Sequence, residues 1–139
     1  MRGTGIHHLD LVVSSVERSL PFYRALLEPV GYDRVGEVVG ERGETIYYVA
    51  GGGVAIGIRE ALVRGEYDRY RVCVHHVAFE VASRDVVDER HRWVVDQPVS
   101  IESPPKEYEY IPGYYAFFFY DPDGIKLEIV HVPDREPPG

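Results

Sequence analysis

Cysteine is almost absent from this chain: Cys73 stands alone among 139 residues. No internal disulfide can form, so buried apolar surface must hold the fold. Lysine is scarce as well, with Lys106 and Lys126 the two exceptions among otherwise arginine bases. No block of basic residues offsets the formal net charge of −8. That balance argues against nucleic acid or an anionic membrane as the main partner. No stretch approaches the ~18 consecutive apolar residues of a membrane span, and the N-terminus lacks a signal peptide's apolar core. A soluble cytoplasmic protein is the expectation.

What is present is enough apolar material, 45% of residues, for one good core. The length predicts a single domain over residues 1–139. Within it a pattern repeats. Residues 6–13 read Ile-His-His-Leu-Asp-Leu-Val-Val and residues 74–81 read Val-His-His-Val-Ala-Phe-Glu-Val, placing the two His-His pairs 68 residues apart. Each pair opens an alternating apolar segment followed by a helix signal. Ser14 and Glu17 have capping-box spacing before a helical stretch to about Leu27, and Pro21 must lie in a first turn or mark a kink. Ser83 is placed to cap the second helix. Short β-like segments follow, clearest at Tyr47–Ala50, Gly53–Ile58, Tyr114–Tyr120 and Ile125–Val132. Gly51-Gly52-Gly53 and Asp121-Pro122-Asp123-Gly124 mark tight turns between them. Both halves therefore read β-α-β-β-β, module 1 over about 5–69 and module 2 over about 70–133. Each is marginal alone, so a shared core is expected. Residues 96–112, with four prolines, read as the most loop-like interior stretch. Met1–Thr4 and Arg135–Gly139 read as loose ends.

Side chains alternate across a strand, so parity sorts residues by face. His7, Leu9, Leu11 and Val13 form one row, as do His75, Val77, Phe79 and Val81, and each should pack under its helix. The opposite faces then carry His8 with Asp10, His76 with Glu80, and Lys126 with Glu128. His8, His76 and Glu128 thus all face away from the helix layer. Two imidazoles and a carboxylate suit a divalent first-row metal with positions left open for substrate. Burying Glu128 without a cation would cost on the order of several kcal/mol unless it protonated. Polar residues on the wet face of a sheet are the plainer reading, against which the matched histidines weigh. His7 and His75 fall at the sheet–helix boundary, where supporting a neighbouring imidazole is the role open to them.

At these residues the sequence resembles the vicinal oxygen chelate superfamily, which includes glyoxalase I, bleomycin-resistance proteins, fosfomycin-resistance enzymes and extradiol dioxygenases. The matching pieces are the two His-His strands, Ser19-Leu-Pro-Phe-Tyr-Arg-Ala-Leu-Leu27, and Phe119-Tyr-Asp-Pro-Asp-Gly-Ile-Lys-Leu-Glu-Ile-Val130. The resemblance implies an α+β fold of two tandem βαβββ modules, forming a curved, cup-like mixed sheet with helices on the outer face. It implies metal ligands at His8, His76 and Glu128. Aligning Gly53 with Gly124 puts Gly57 at the fourth ligand position, where glycine offers no donor. That counts against glyoxalase I and methylmalonyl-CoA epimerase, and leaves a triad like that of extradiol dioxygenases and fosfomycin-resistance enzymes. Phe118 stands where those enzymes carry a tyrosine, with Tyr114 and Tyr120 on the same face as substitutes. Asp10 and Glu109 would repel an anionic phosphonate, which counts against fosfomycin resistance.

The activity implied is that of a metal-dependent enzyme, dioxygenase- or lyase/isomerase-like, whose small-molecule substrate chelates the metal through adjacent oxygens. Fe2+ or Mn2+ is the favoured ion, with Zn2+, Ni2+ and Co2+ also suited. Tyr48, Tyr110, Tyr114, Phe118 and Tyr120 are the expected cup walls, and no general base is named. A metal-free, ligand-sequestering protein of the bleomycin-resistance type is the alternative. The resemblance also implies a homodimer, with the cup built either within or between chains.

Overall fold

The computed structural model of this chain describes residues 4–133. It divides into two compact units, Met1–Gly65 and Glu66–Gly139. The first contains β1 (His8–Val13), α1 (Val16–Leu27), β2 (Arg34–Val39), β3 (Thr45–Gly51) and β4 (Val54–Glu60), with a 3-10 turn at Glu28–Val30. The second contains β5 (Val77–Glu80), α2 (Arg84–Val95), β6 (Ile101–Tyr108), β7 (Tyr114–Tyr120) and β8 (Lys126–His131). Both units therefore have the β-α-β-β-β order expected from the repeat. Of the expected loose ends, all but Thr4 lie outside the described residues.

Each unit is a four-stranded mixed sheet with one helix against it. The strand orders are β1-β4-β3-β2 and β5-β8-β7-β6. In each, the first strand runs parallel to the last and the remaining pairs are antiparallel. A parallel first–last pair needs a crossover, which the helix and two intervening strands provide. The helix seals one sheet face. In α1 the buried residues are Ser19, Phe22, Tyr23, Leu26 and Leu27, the i, i+3, i+4, i+7, i+8 spacing of a single stripe. In the sheet of that unit, Leu11, Val13, Val49, Ile56 and Ile58 are buried. In the second unit Val87 and Val94 of α2 are buried, as are Phe79, Phe117, Phe119, Leu127 and Ile129.

Three local expectations change. The cap of α1 is Ser15, whose Oγ accepts from the Arg18 N–H at 3.2 Å, one residue later than the expected Ser14. No glutamate stands at the reciprocal position of that cap. Glu60 at the end of β4 accepts from the Val16 N–H at 2.9 Å instead, so a neighbouring strand completes the helix start. Pro21 lies neither in the first turn nor at a helix end; α1 continues through it. The ring is exposed, so the bond lost there faces water. The stretch 96–112 is not all loop, because β6 occupies Ile101–Tyr108. It is an edge strand, and its register against β7 shifts between Ser103 and Lys106, around Pro104 and Pro105. An edge strand with a bulge tolerates prolines that a central strand would not. The Ser83 cap of α2 is as expected, accepting from the Val86 N–H at 3.3 Å.

The two turns that aim the last strands fit their sequences. Gly52 and Gly53, at φ 61° and 84°, make a two-residue loop whose positive angles exclude most side chains. Asp121 is buried, and its Oδ1 accepts from the N–H groups of Asp123 and Ile125, each at 2.8 Å. That side chain locks the entry to β8 and thereby the face on which Glu128 emerges.

Candidate functional site

In the second unit β8 presents Lys126, Glu128 and Val130 away from the α2 row, as parity requires. Glu128 is 1% exposed. Its Oε1 lies 3.1 Å from His76 Nε2, and its Oε2 accepts from the Tyr114 hydroxyl. Burial pushes the Glu128 carboxyl above the ordinary carboxylate range, with Tyr114 and His76 pulling the other way. Burial and then the neighbouring Glu128 push the Tyr114 phenol well above its usual value. Tyr114 thus does take up the place left by Phe118, at least toward the glutamate. Tyr120 does not: its hydroxyl donates to Glu102 at 2.6 Å, where Lys126 Nζ also lies 2.8 Å away.

Aromatic rings stand beside the His76–Glu128 pair. Phe118 meets His76 edge-on with centroids 5.9 Å apart, and Tyr108 meets Phe118 at 5.5 Å. Tyr108 and Tyr110 stack at 5.5 Å with planes 3° apart, and Tyr114 stands edge-on to both. Tyr110, Tyr114 and Phe118 are therefore gathered on one side of the pair. Tyr108 belongs to the same wall and is not among the expected residues, since the 96–112 stretch does not read as a strand that would place it on this face. The alternation Tyr108-Glu-Tyr110 was the signal that could have found it. The other missed pair is Lys126 with Glu102. Lys126 Nζ rests 4.7 Å from the Phe118 ring centre, so this face carries a cation close to the glutamate.

In the first unit a groove of about 1180 Å³ is lined by residues that include His8, Asp10, Tyr48, Gly57 and Arg59. Tyr48 lies across Gly36, where an added Cβ would meet its hydroxyl oxygen at 2.4 Å. The strand registers make the two modules directly comparable. Asp10 pairs with Gly57 in the first, and Ala78 pairs with Glu128 in the second. Gly57 is thus the positional counterpart of Glu128, as the alignment on the turn glycines implied. Its missing side chain leaves room that Asp10 fills: a Cβ at Gly57 would meet Asp10 Oδ1 at 2.2 Å. The first module keeps a carboxylate on this face but supplies it from the first strand. Asp10 is tied to Arg59 at 3.2 Å, and the same guanidinium reaches Glu41 at 3.0 Å and Glu44 at 3.7 Å. The groove lining carries Asp10, Asp33 and Glu41 against Arg34 and Arg59, which leaves it slightly acidic.

Both histidine doublets depart from the parity expectation in the same way. The ladders begin at His8 in β1 and at Val77 in β5, so His7, His75 and His76 precede the regular alternation. His7 and His75 are exposed and do not join the helix-side rows. His7 Nδ1 lies 2.8 Å from His8 Nδ1, and His75 Nδ1 lies 2.8 Å from His76 Nδ1. Of the remaining candidates for a proton-transfer role, Glu80 is exposed and His131 Nδ1 is engaged with the Val81 carbonyl at 3.0 Å. Within neither unit do three His, Cys, Asp or Glu side chains of the described residues gather closely enough to hold a metal ion by themselves. No helix among the described residues is long and apolar enough to cross a membrane.

A family model for the Glyoxalase/Bleomycin resistance protein/Dioxygenase superfamily matches residues 5–129. An uncharacterised Bacillus subtilis protein, YqjT, is 28% identical, the alignment covering 90% of this chain and 97% of that protein. The metallothiol transferase FosB of Staphylococcus epidermidis is 30% identical over 90% of this chain and 81% of its own. Among solved structures, a putative glyoxalase from Bacillus halodurans superposes with a TM-score of 0.72 at 25% identity, covering 91% of this chain and 95% of that one. With the duplicated βαβββ topology and the match across nearly its whole length, the chain belongs to the Glyoxalase/Bleomycin resistance protein/Dioxygenase superfamily.

Proposed function

We propose that this chain is a metal-dependent enzyme acting on a small molecule that offers two adjacent oxygens, with dioxygenase- or lyase/isomerase-like chemistry. The observation that carries the reading is the buried carboxylate of Glu128, with His76 Nε2 at 3.1 Å from Oε1. A buried glutamate next to an imidazole nitrogen, with no arginine of the described residues on it, is a donor pair suited to a divalent cation. His8 is the third ligand in this reading, contributed by the first module of the same or a second chain. Its Nδ1 is engaged by His7, and among the described residues of its unit no hydrogen bond reaches its Nε2. Fe2+ or Mn2+ best suits two imidazoles and a carboxylate, and Zn2+, Ni2+ and Co2+ also fit. When bound, such an ion supplies Lewis acidity to the substrate oxygens.

The remaining roles fall to the chain's own residues. Tyr114 occupies Glu128 Oε2 and thereby aims Oε1 toward His76. Tyr108, Tyr110 and Phe118 offer an apolar wall beside that pair, and Tyr48 lines the groove of the first unit. The protein is read as a cytoplasmic homodimer. A second reading, metal-dependent thiol transfer, is favoured by the 30% identity to the FosB of S. epidermidis. Metal-free sequestration is not favoured, because a carboxylate buried beside an imidazole suits a compact cation that both can ligate. The test is Mn2+ titration of chelator-stripped protein followed by electron paramagnetic resonance. About one ion per chain is expected, with binding abolished by His8→Ala combined with Glu128→Ala. Wild-type binding by that double variant would remove the ligand assignment.

A further inference from the structure

The two histidine doublets share a geometry that strand alternation does not produce. Consecutive side chains in a regular strand point to opposite faces, yet in both modules the two rings of the doublet meet. Their centroids are 5.1 Å apart in each case, with planes at 85° for His7–His8 and 77° for His75–His76. The contact is made by the same atoms in both, Nδ1 to Nδ1 at 2.8 Å. Two units with different surroundings arrive at one arrangement. In the first, the ligand histidine opens β1; in the second, it immediately precedes β5.

An Nδ1···Nδ1 hydrogen bond needs one protonated and one bare nitrogen. A neutral imidazole carries a single N–H, so whichever nitrogen binds a metal forces the proton onto the other. If Nε2 of His8 or His76 is the ligating atom, Nδ1 must bear the proton and must find an acceptor. Ligating histidines ordinarily give that proton to a carboxylate, a backbone carbonyl or water. Here the atom within reach is the Nδ1 of the preceding histidine. The preceding ring then carries its own proton on Nε2, and both His7 and His75 are exposed, where water can accept it.

We infer that His7 and His75 are positioning residues: each accepts the Nδ1–H of the histidine that follows it, leaving the Nε2 of that ring unprotonated and able to ligate. The inference rests on the reading of His8 and His76 as metal ligands. It assigns a role to all four doublet histidines, two as ligands and two as their acceptors. It also explains why the doublet, rather than the single ligand histidine, recurs after 68 residues.

The test separates the hydrogen bond from mere ring packing. Phenylalanine keeps the ring and removes the acceptor, whereas asparagine places its Oδ1 near the former Nδ1. Co2+ affinity of the stripped full-length protein is measured for His7→Phe, His75→Phe, His7→Asn and His75→Asn, with His8→Ala and His76→Ala as references. Each phenylalanine variant is expected to weaken Co2+ binding by about 10–100-fold, and each asparagine variant to recover most of that loss. In the Zn2+-loaded wild type, nitrogen NMR should place the proton of His8 and His76 on Nδ1. Phenylalanine variants that bind Co2+ like wild type, while the alanine references do not, would overturn the positioning role alone. Nε2 protonation of the metal-loaded His8 or His76 would overturn it as well. Alanine references that bind like wild type would overturn the ligand reading beneath it.

Discussion

Glu128 sits under opposing demands, and its neighbours show how they are met. Its side chain is among the most buried in the protein, yet its oxygens meet an imidazole and a phenol rather than an arginine. Arg59, with three carboxylates around it, is committed in the other unit. Without a cation, burial favours the protonated form and lifts the carboxyl above its ordinary 4.5. A carboxyl whose folded value is raised contributes stability that is full below the unfolded value and lost as pH rises through the folded one. The ionised glutamate therefore costs the metal-free protein stability at neutral pH. Glu128→Gln is expected to leave the metal-free melting temperature at pH 7 equal to or above wild type while abolishing metal binding. Calorimetry on stripped protein checks this, and a clear drop in melting temperature would show that the charge is compensated. This residue's type and face were legible in the sequence through strand parity. Its partner Tyr114 was legible only as one of two candidates, because parity tells the face but not which tyrosine reaches. The choice was made by the side chains around Glu102, which captured Tyr120 instead.

Among the elements, helices were the easiest to foresee and edge strands the hardest. Both helices begin at a serine whose hydroxyl accepts from the third following N–H, at Ser15 and Ser83. Replacing either serine by alanine is expected to lower stability by about 1 kcal/mol, with the urea midpoint shifting and the slope unchanged. Ser14→Ala should move it much less. That contrast matters because Ser14 has the better capping-box spacing, with Glu17 three residues on. The spacing misleads by one residue because Glu60, distant in sequence, caps Val16. Local pattern could not contain that contact. β6 escaped for a related reason: Pro104 and Pro105 break a strand pattern unless a register shift at a sheet edge accommodates them. Whether a strand is at an edge depends on the order of pairing, which no single segment carries.

Duplication is the feature that organises the molecule as a whole. The repeat length, the His-His strands and the Asp-Pro-Asp-Gly turn were enough to read the module topology and the family. The homodimer proposed above is tested by sedimentation equilibrium, which should give about twice the 15.8 kDa chain mass. A single-chain mass would remove it. The sequence by itself determined the alternation of faces, the helix stripes and the absence of a donor at Gly57, since each depends on residue type and local period. Tertiary structure decided the rest. It set Asp10 over Gly57, gave Tyr114 rather than Tyr120 to Glu128, and turned each outer histidine onto its neighbour. The physical reason is common to all three. Periodicity fixes the direction in which a side chain leaves the backbone, whereas hydrogen bonds are settled by which atoms come within about 3 Å, and distant segments supply those.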